Sequence, residues 1–176
     1  MTLETAAKKV KTDVSQKFAS CVLIFDANGY ILATARKNDP TAFGMPGGKL
    51  EIGDDFYQAA IRETQEETGV ELSASQLIPV FTAYDGPYEV ITFTLSTGAL
   101  ASRPPLAPRE GEGICRWITP KDLATGFFPV YNVSLFKVLP DSLRSFYQQQ
   151  SWLKAVESLD ISALTAEDIR HIINNS

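Results

Sequence analysis

The sequence predicts a layered α/β domain of the mixed α+β kind, a mixed β-sheet with helices packed on it. Three observations carry that prediction. The elements run in the order strands, a helix, strands, helices. The strand candidates are short apolar runs bounded by turn residues. The chain has 176 residues, 44% hydrophobic and 21% charged, which suits one domain with one sizeable core.

The elements follow in order. Residues 19–25 (ASCVLIF) read as a buried strand and residues 30–36 (YILATAR) as its hairpin partner. Between them, Asn28-Gly29 is a hairpin signal whose two turn positions require positive φ. Residues 37–48 (KNDPTAFGMPGG) are rich in Pro and Gly and read as a loop. Residues 54–68 read as a helix, with Asp54 or Asp55 as its cap and Gly69 as its left-handed stop. Tyr57, Ala60, Ile61 and Thr64 form its expected packing face, with Phe56 and Ala59 on the carboxylate side. Strands are expected at 77–84 and 88–96 around the turn Asp85-Gly86-Pro87. A long loop follows over 97–113, then a strand at 114–119. Thr119 and Pro120 begin a short helix. A helix starts near 132–139, and closing helices are expected at 143–159 and 165–173. The chain thus divides into an N-terminal extension (1–18), a central domain (19–139) and a C-terminal helical extension packed on the same domain (140–176).

Composition excludes several classes. The formal net charge is −5, which argues against stable nucleic-acid binding, since phosphate backbones select basic surfaces. An anionic small molecule stays open if a metal ion offsets the repulsion. Cys21 and Cys115 lie in apolar runs without a CxxC pair, so two reduced, buried thiols are expected rather than a disulfide or zinc site. No apolar run approaches the roughly 20 residues of a membrane span, and the N-terminus lacks a secretory apolar region. A cytoplasmic protein is the expectation.

The segment GGKLEIGDDFYQAAIRETQEETGV (47–70) holds the strongest signal. Glu63, Glu66 and Glu67 fall within an arc of roughly 100° on one helix. They crowd its C-terminal end, where the helix dipole already places partial negative charge. The repulsion between Glu63 and Glu67 costs roughly 0.2–0.5 kcal/mol, so a solvated acidic face is one reading. The other is an oxygen-only shell for a hard divalent cation, helped by backbone carbonyls of the preceding Pro46-Gly47-Gly48.

This segment resembles the signature box of the Nudix hydrolases. Gly48, Arg62, Glu63, Glu66, Glu67, Gly69 and Val70 stand in register with it. Asp54 replaces the box's first Glu, one methylene shorter, and Thr64 replaces an aliphatic residue. The resemblance extends over roughly residues 19–139. It implies an α/β/α sandwich with a mixed sheet, and hydrolysis of a pyrophosphate bond in a nucleoside diphosphate linked to another group. It implies Mg²⁺ or Mn²⁺ held by Glu63, Glu66, Glu67 and the Gly47 carbonyl, with Glu63 also orienting water. Glu110 and Glu112 are candidates for the general base, and Glu112 is the choice, with Glu63 and Glu66 as the other catalytic residues. Arg36 and Lys49 are candidates for binding substrate phosphates. Phe43, Tyr84, Tyr88, Phe127 and Phe128 are available to stack a base. The lone histidine, His171, is expected to be structural. A nucleoside triphosphate or damaged nucleotide is the first expectation for substrate. ADP-ribose, nucleotide sugars and dinucleoside polyphosphates are alternatives, and the acidic charge disfavours RNA cap removal. A nucleotide-sensing module without turnover is the non-enzymatic alternative. A homodimer stays open.

Overall fold

A computed structural model describes residues 3–7 and 17–176. The chain forms a four-residue helix α1 (Leu3–Ala6), then β1 (Lys17–Leu23), β2 (Ile31–Arg36), β3 (Asp39–Gly44) and β4 (Gly47–Lys49). Next come α2 (Phe56–Thr68), β5 (Leu77–Asp85), β6 (Tyr88–Leu95) and β7 (Ile114–Ile118). Helices α3 (Pro120–Ala124), α4 (Pro129–Val138), α5 (Asp141–Arg144), α6 (Ser151–Glu157) and α7 (Ala166–Asn174) close the chain. One sheet has the order β4-β1-β6-β5, with β1 and β6 parallel and the other pairs antiparallel. The second, β3-β2-β7, is antiparallel throughout.

Period-2 alternation along the strands sorts side chains to two faces. Val22, Ile24 and Leu32 join Phe56, Ala60, Ile91 and Phe93 beneath α2. Leu23, Phe25, Ile31 and Ala33 face the other way, into a cluster with residues of α3, α4, α6 and α7. The result is a sandwich with helices on both sides. Trp152, Leu153, Ile169 and Ile173 belong to that second cluster, so residues 140–176 share the core of the domain.

Five sequence expectations need correction. Residues 37–48 are not a simple loop but carry β3 and β4, because Ala35 pairs with Phe43 and Cys21 with Gly47. The hairpin turn puts only Gly29 at positive φ (84°), and Asn28 keeps an ordinary φ. Gly29 N donates to Asp26 O at 3.1 Å, which makes a three-residue loop closed by a left-handed glycine. The Asp26 carboxylate accepts the Asn28 and Tyr30 amides, each at 2.9 Å, and organises that turn. Helix α2 starts at Phe56 with Asp55 as cap, reciprocated by Gln58 in a capping box. Its buried face includes Phe56 and Ala59, so the carboxylate side is itself half-buried. The helix expected over 143–159 is broken: Tyr147 turns inward, its hydroxyl donating to Phe136 O at 2.7 Å, and α6 restarts at Ser151.

Other expectations agree with the structure. Thr119 caps α3 with Pro120 first, and α7 falls where the last closing helix is expected. Cys21 and Cys115 are free thiols; Cys21 is buried as expected, whereas Cys115, on the edge strand β7, is only half-buried. Among the described residues no helix is long and apolar enough to cross a membrane.

Candidate active site

The site is assembled at the C-terminal end of α2. That helix ends at Gly69, which adopts φ 79° and caps Gln65 O. The last carbonyls of a helix lack partners within it. Here the loop after β6 supplies them: Ala107 N donates to Thr68 O at 2.9 Å and Arg109 N to Glu66 O at 2.8 Å. A side chain at Gly69 would strike the Ala107 backbone, with a Cβ only 2.6 Å from Ala107 O. The loop is therefore stapled to the helix end, and it carries Glu112 toward the glutamates.

Four carboxylates share the resulting space. Glu63 feels Glu66 and Glu112, and Glu67 feels Glu63 and Glu112, each raising the cost of ionisation. Two guanidinium groups flank them. Arg62 bonds Asp54 at 2.8 Å and Glu63 at 2.8 Å, with Glu51 at 3.7 Å. Asp54 thus reaches Arg62 despite its shorter side chain. Arg109 bonds Glu66 at 2.8 Å and Glu112 at 3.2 Å.

Glu67 differs. It accepts from Gly47 N at 2.8 Å and from Thr34 Oγ1 at 3.1 Å, one donor from each sheet. No cation pairs with it among the described residues. Burial, then repulsion from Glu63 and Glu112, pushes its carboxyl up to about 7 against those two donors. Burial is also the main cause of the upward shift at Glu63, with Arg62 opposing it. Gly48 makes room for the cluster, since a Cβ there would lie 2.5 Å from Glu63 Cδ. Gly47 N points away from β1 toward Glu67, and the neighbouring carbonyl of Pro46 is taken by Val22 N at 2.9 Å.

Glu67 and Glu112 open onto a cleft of about 660 Å³ that also receives Arg36, Lys49, Gly47 and Gly48. Arg36 lies over the Phe127 ring at 5.0 Å and Lys49 over the Tyr88 ring at 5.2 Å. Of the aromatic candidates, Tyr88, Phe127 and Phe128 line the cleft. Phe43 packs against the core cluster instead, and Tyr84 is exposed. Glu110 is exposed and does not line the cleft. His171 lies on α7 beside Asn175. A second cleft, of about 640 Å³, lies around Arg116, Trp117 and Arg170 and holds none of the α2 carboxylates.

The chain matches the family model for the NUDIX domain over residues 15–139. It belongs to the Nudix family. Over 68 residues it is 40% identical to Nudix hydrolase 25 of Arabidopsis thaliana, covering 38% of each chain. Over 64 residues it is 36% identical to an ADP-ribose pyrophosphatase of Methanocaldococcus jannaschii, covering 35% of this chain and 38% of that one. The match thus spans under two-fifths of either relative's length. A putative 8-oxo-dGTP diphosphatase of Bacillus subtilis is 28% identical over 108 residues, 61% of this chain and 70% of that one. A structure of MutT from a study of Aliivibrio salmonicida and Vibrio cholerae superposes with a TM-score of 0.54 at 22% identity. It covers 76% of this chain and 98% of that one, and agrees in fold.

Nudix hydrolases generally use divalent metal ions, and the donor set here fits such an ion in its chemistry. Glu63, Glu66, Glu67 and Glu112 offer only hard oxygens, and burial, with repulsion among them adding to it, shifts the carboxyls of Glu63 and Glu67 upward. Among the described residues, however, no three carboxylate, thiol or imidazole groups converge on one point. Each glutamate is turned to another partner: Glu63 to Arg62, Glu66 to Arg109, Glu67 to Gly47 and Thr34. The sequence alone does not single out Arg109 or Thr34. Arg109 and Thr34 lie far from the box along the chain, and only the docked loop and strand β2 bring them to it.

Proposed function

We propose that this Nudix domain hydrolyses a pyrophosphate bond in a nucleotide, with Mg²⁺ or Mn²⁺ held by Glu63, Glu66 and Glu67. The observation that carries this reading is Glu67: a half-buried carboxylate at the cleft wall, without a cationic partner among the described residues, pushed up to about 7. A divalent ion would neutralise the developing phosphoryl charge and acidify bound water. The chain's own groups do the rest. Gly47 N and Thr34 Oγ1 fix the Glu67 carboxylate, and Arg62 with Asp54 fixes Glu63 from behind. The Gly47 carbonyl is the candidate backbone ligand. Glu112, delivered by the stapled loop, is the candidate base for the attacking water, and Glu63 the candidate to orient it. Arg36 and Lys49 supply positive charge along the cleft for substrate phosphates. Tyr88 and Phe127 offer flat faces for a base.

A nucleoside triphosphate or modified nucleotide is the first substrate class, supported by the cleft volume and by the Bacillus relative named a putative 8-oxo-dGTP diphosphatase. ADP-ribose is the second, supported by the Methanocaldococcus relative. RNA pyrophosphohydrolases are among the relatives, but a net charge of −5 counts against RNA. Incubation with Mg²⁺ and a panel of nucleoside triphosphates, oxidised nucleotides, ADP-ribose, nucleotide sugars and dinucleoside polyphosphates tests the proposal. A triphosphate should give a nucleoside monophosphate and pyrophosphate, ADP-ribose AMP and ribose 5-phosphate, a nucleotide sugar a nucleoside monophosphate and a sugar phosphate, and a dinucleoside polyphosphate two nucleotides. No turnover, with ligands still raising the melting temperature, would identify a nucleotide sensor instead.

A further inference from the structure

We infer that Arg109 is a positioning residue that serves as the site's internal counter-cation, holding Glu66 and Glu112 until a divalent ion competes it away. The inference rests on the reading that Glu66 is a metal ligand.

Three observations support it. The guanidinium spans two carboxylates from different elements, Glu66 on α2 at 2.8 Å and Glu112 on the loop at 3.2 Å. Its planar fork suits such bridging in a way that an ammonium does not. The Arg109 backbone is fixed independently of its side chain, by Arg109 N to Glu66 O at 2.8 Å and Glu112 N to Arg109 O at 3.0 Å. The side chain itself is 60% exposed, so it has open solvent to swing into.

Arg62 is the contrast. It is 26% exposed and is held by Asp54, Glu63 and the Lys49 carbonyl, so it stays in place whatever Glu63 binds. The two arginines therefore divide the work. One is a permanent brace for Glu63, the other a removable partner for Glu66. While Arg109 is in place it also aligns Glu112 beside the cluster and screens the repulsion that Glu112 exerts on Glu63 and Glu67. A cation that takes Glu66 competes with Arg109 for its charge and, at Oε1, for the same atom, so Arg109 lowers cation affinity and supports the cation-free fold.

The test is a Mn²⁺ titration of the nucleotide-free protein, following free Mn²⁺ by electron paramagnetic resonance, for wild type, Arg109→Gln and Arg109→Lys. Melting curves in chelator and in saturating Mn²⁺ accompany it. Arg109→Gln is expected to bind Mn²⁺ about threefold more tightly, the scale of an exposed ion pair. Arg109→Lys is also expected to bind more tightly than wild type, because it keeps the charge and loses the fork. Arg109→Gln should melt lower in chelator, and the gap should narrow in Mn²⁺. Unchanged or weaker Mn²⁺ affinity in Arg109→Gln would overturn the inference. So would an Arg109→Lys affinity equal to wild type, since net charge alone would then explain the gain. Absence of Mn²⁺ binding in the wild type itself would overturn the metal reading and this inference with it.

Discussion

The Glu67 carboxylate accepts the Gly47 amide at 2.8 Å, joining the end of α2 to the edge strand β4. This contact holds an acid in a place that disfavours its charge. Its folded pKa, about 7, lies above the ordinary 4.5. The folded state therefore binds the extra proton more strongly between those values. Stability from this group is complete below about pH 4.5 and is lost as pH rises through about 7. In chelator, wild type should lose up to about 3 kcal/mol from this group between pH 4.5 and 8, an upper figure given partial exposure. Glu67→Gln should flatten that part of the profile and be the more stable at pH 8. Chemical denaturation across pH checks both.

Cation binding carries the opposite sign. A ligand carboxylate must be ionised, so Mn²⁺ affinity should rise with pH through about 7 as Glu67 deprotonates. Proton release measured by calorimetry in two buffers of different ionisation enthalpy should be largest below pH 7 and fade above it.

Thr64 is fully buried, and its hydroxyl has no hydrogen-bond partner. The box residue it replaces is aliphatic, and the position behaves as an apolar one. Thr64→Val removes an unsatisfied polar atom at nearly constant volume, so it should stabilise the fold by about 1 kcal/mol. Turnover should be unchanged. Thermal and urea melts give the measurement.

Gly48 lies against Glu63. A Cβ would meet the Glu63 carboxylate, the free end of a flexible side chain, so Gly48→Ala should leave stability within about 1 kcal/mol and cut activity severely. Gly113→Ala is the contrast. There a Cβ would fall 1.8 Å from the Ala35 carbonyl, so the backbone must move and the fold should suffer. Activity and melting measured together separate the two.

Asp54 bonds Arg62 Nη2 at 2.8 Å and accepts the Glu51 amide at 3.0 Å. Asp54→Ala should destabilise by about 1–3 kcal/mol by leaving a half-buried guanidinium short of a partner. Asp54→Glu, restoring the family's residue, should be tolerated. The pair of melting temperatures decides it.

Much of this was legible in the sequence because the box is one contiguous stretch. Gly48, Arg62, Glu63, Glu66 and Glu67 sit on one turn-and-helix unit, and helical geometry alone groups the glutamates. The strands after the hairpin were not legible. Residues 39–44 and 47–49 are punctuated by Pro and Gly, and they pair only because β1 and β2 present edges for them. The break after Arg144 was hidden for a related reason. Tyr147 leaves the helical path and, with Trp152 at the start of α6, packs on Phe136, a contact fixed by tertiary structure. Arg109 and Thr34 reach the site only through the stapled loop and β2. Their chemistry is ordinary until those contacts place them.

The most direct test of the central claim is Mn²⁺ binding with a non-hydrolysable nucleotide analogue present, compared among wild type, Glu66→Gln and Glu67→Gln. The account predicts that wild type binds the ion and both variants lose most of that affinity. Glu67→Gln should melt at or above wild type in chelator, and Glu66→Gln should stay folded. Variants that bind the ion as wild type does, or that unfold along with losing it, would contradict the assignment of these glutamates as ligands.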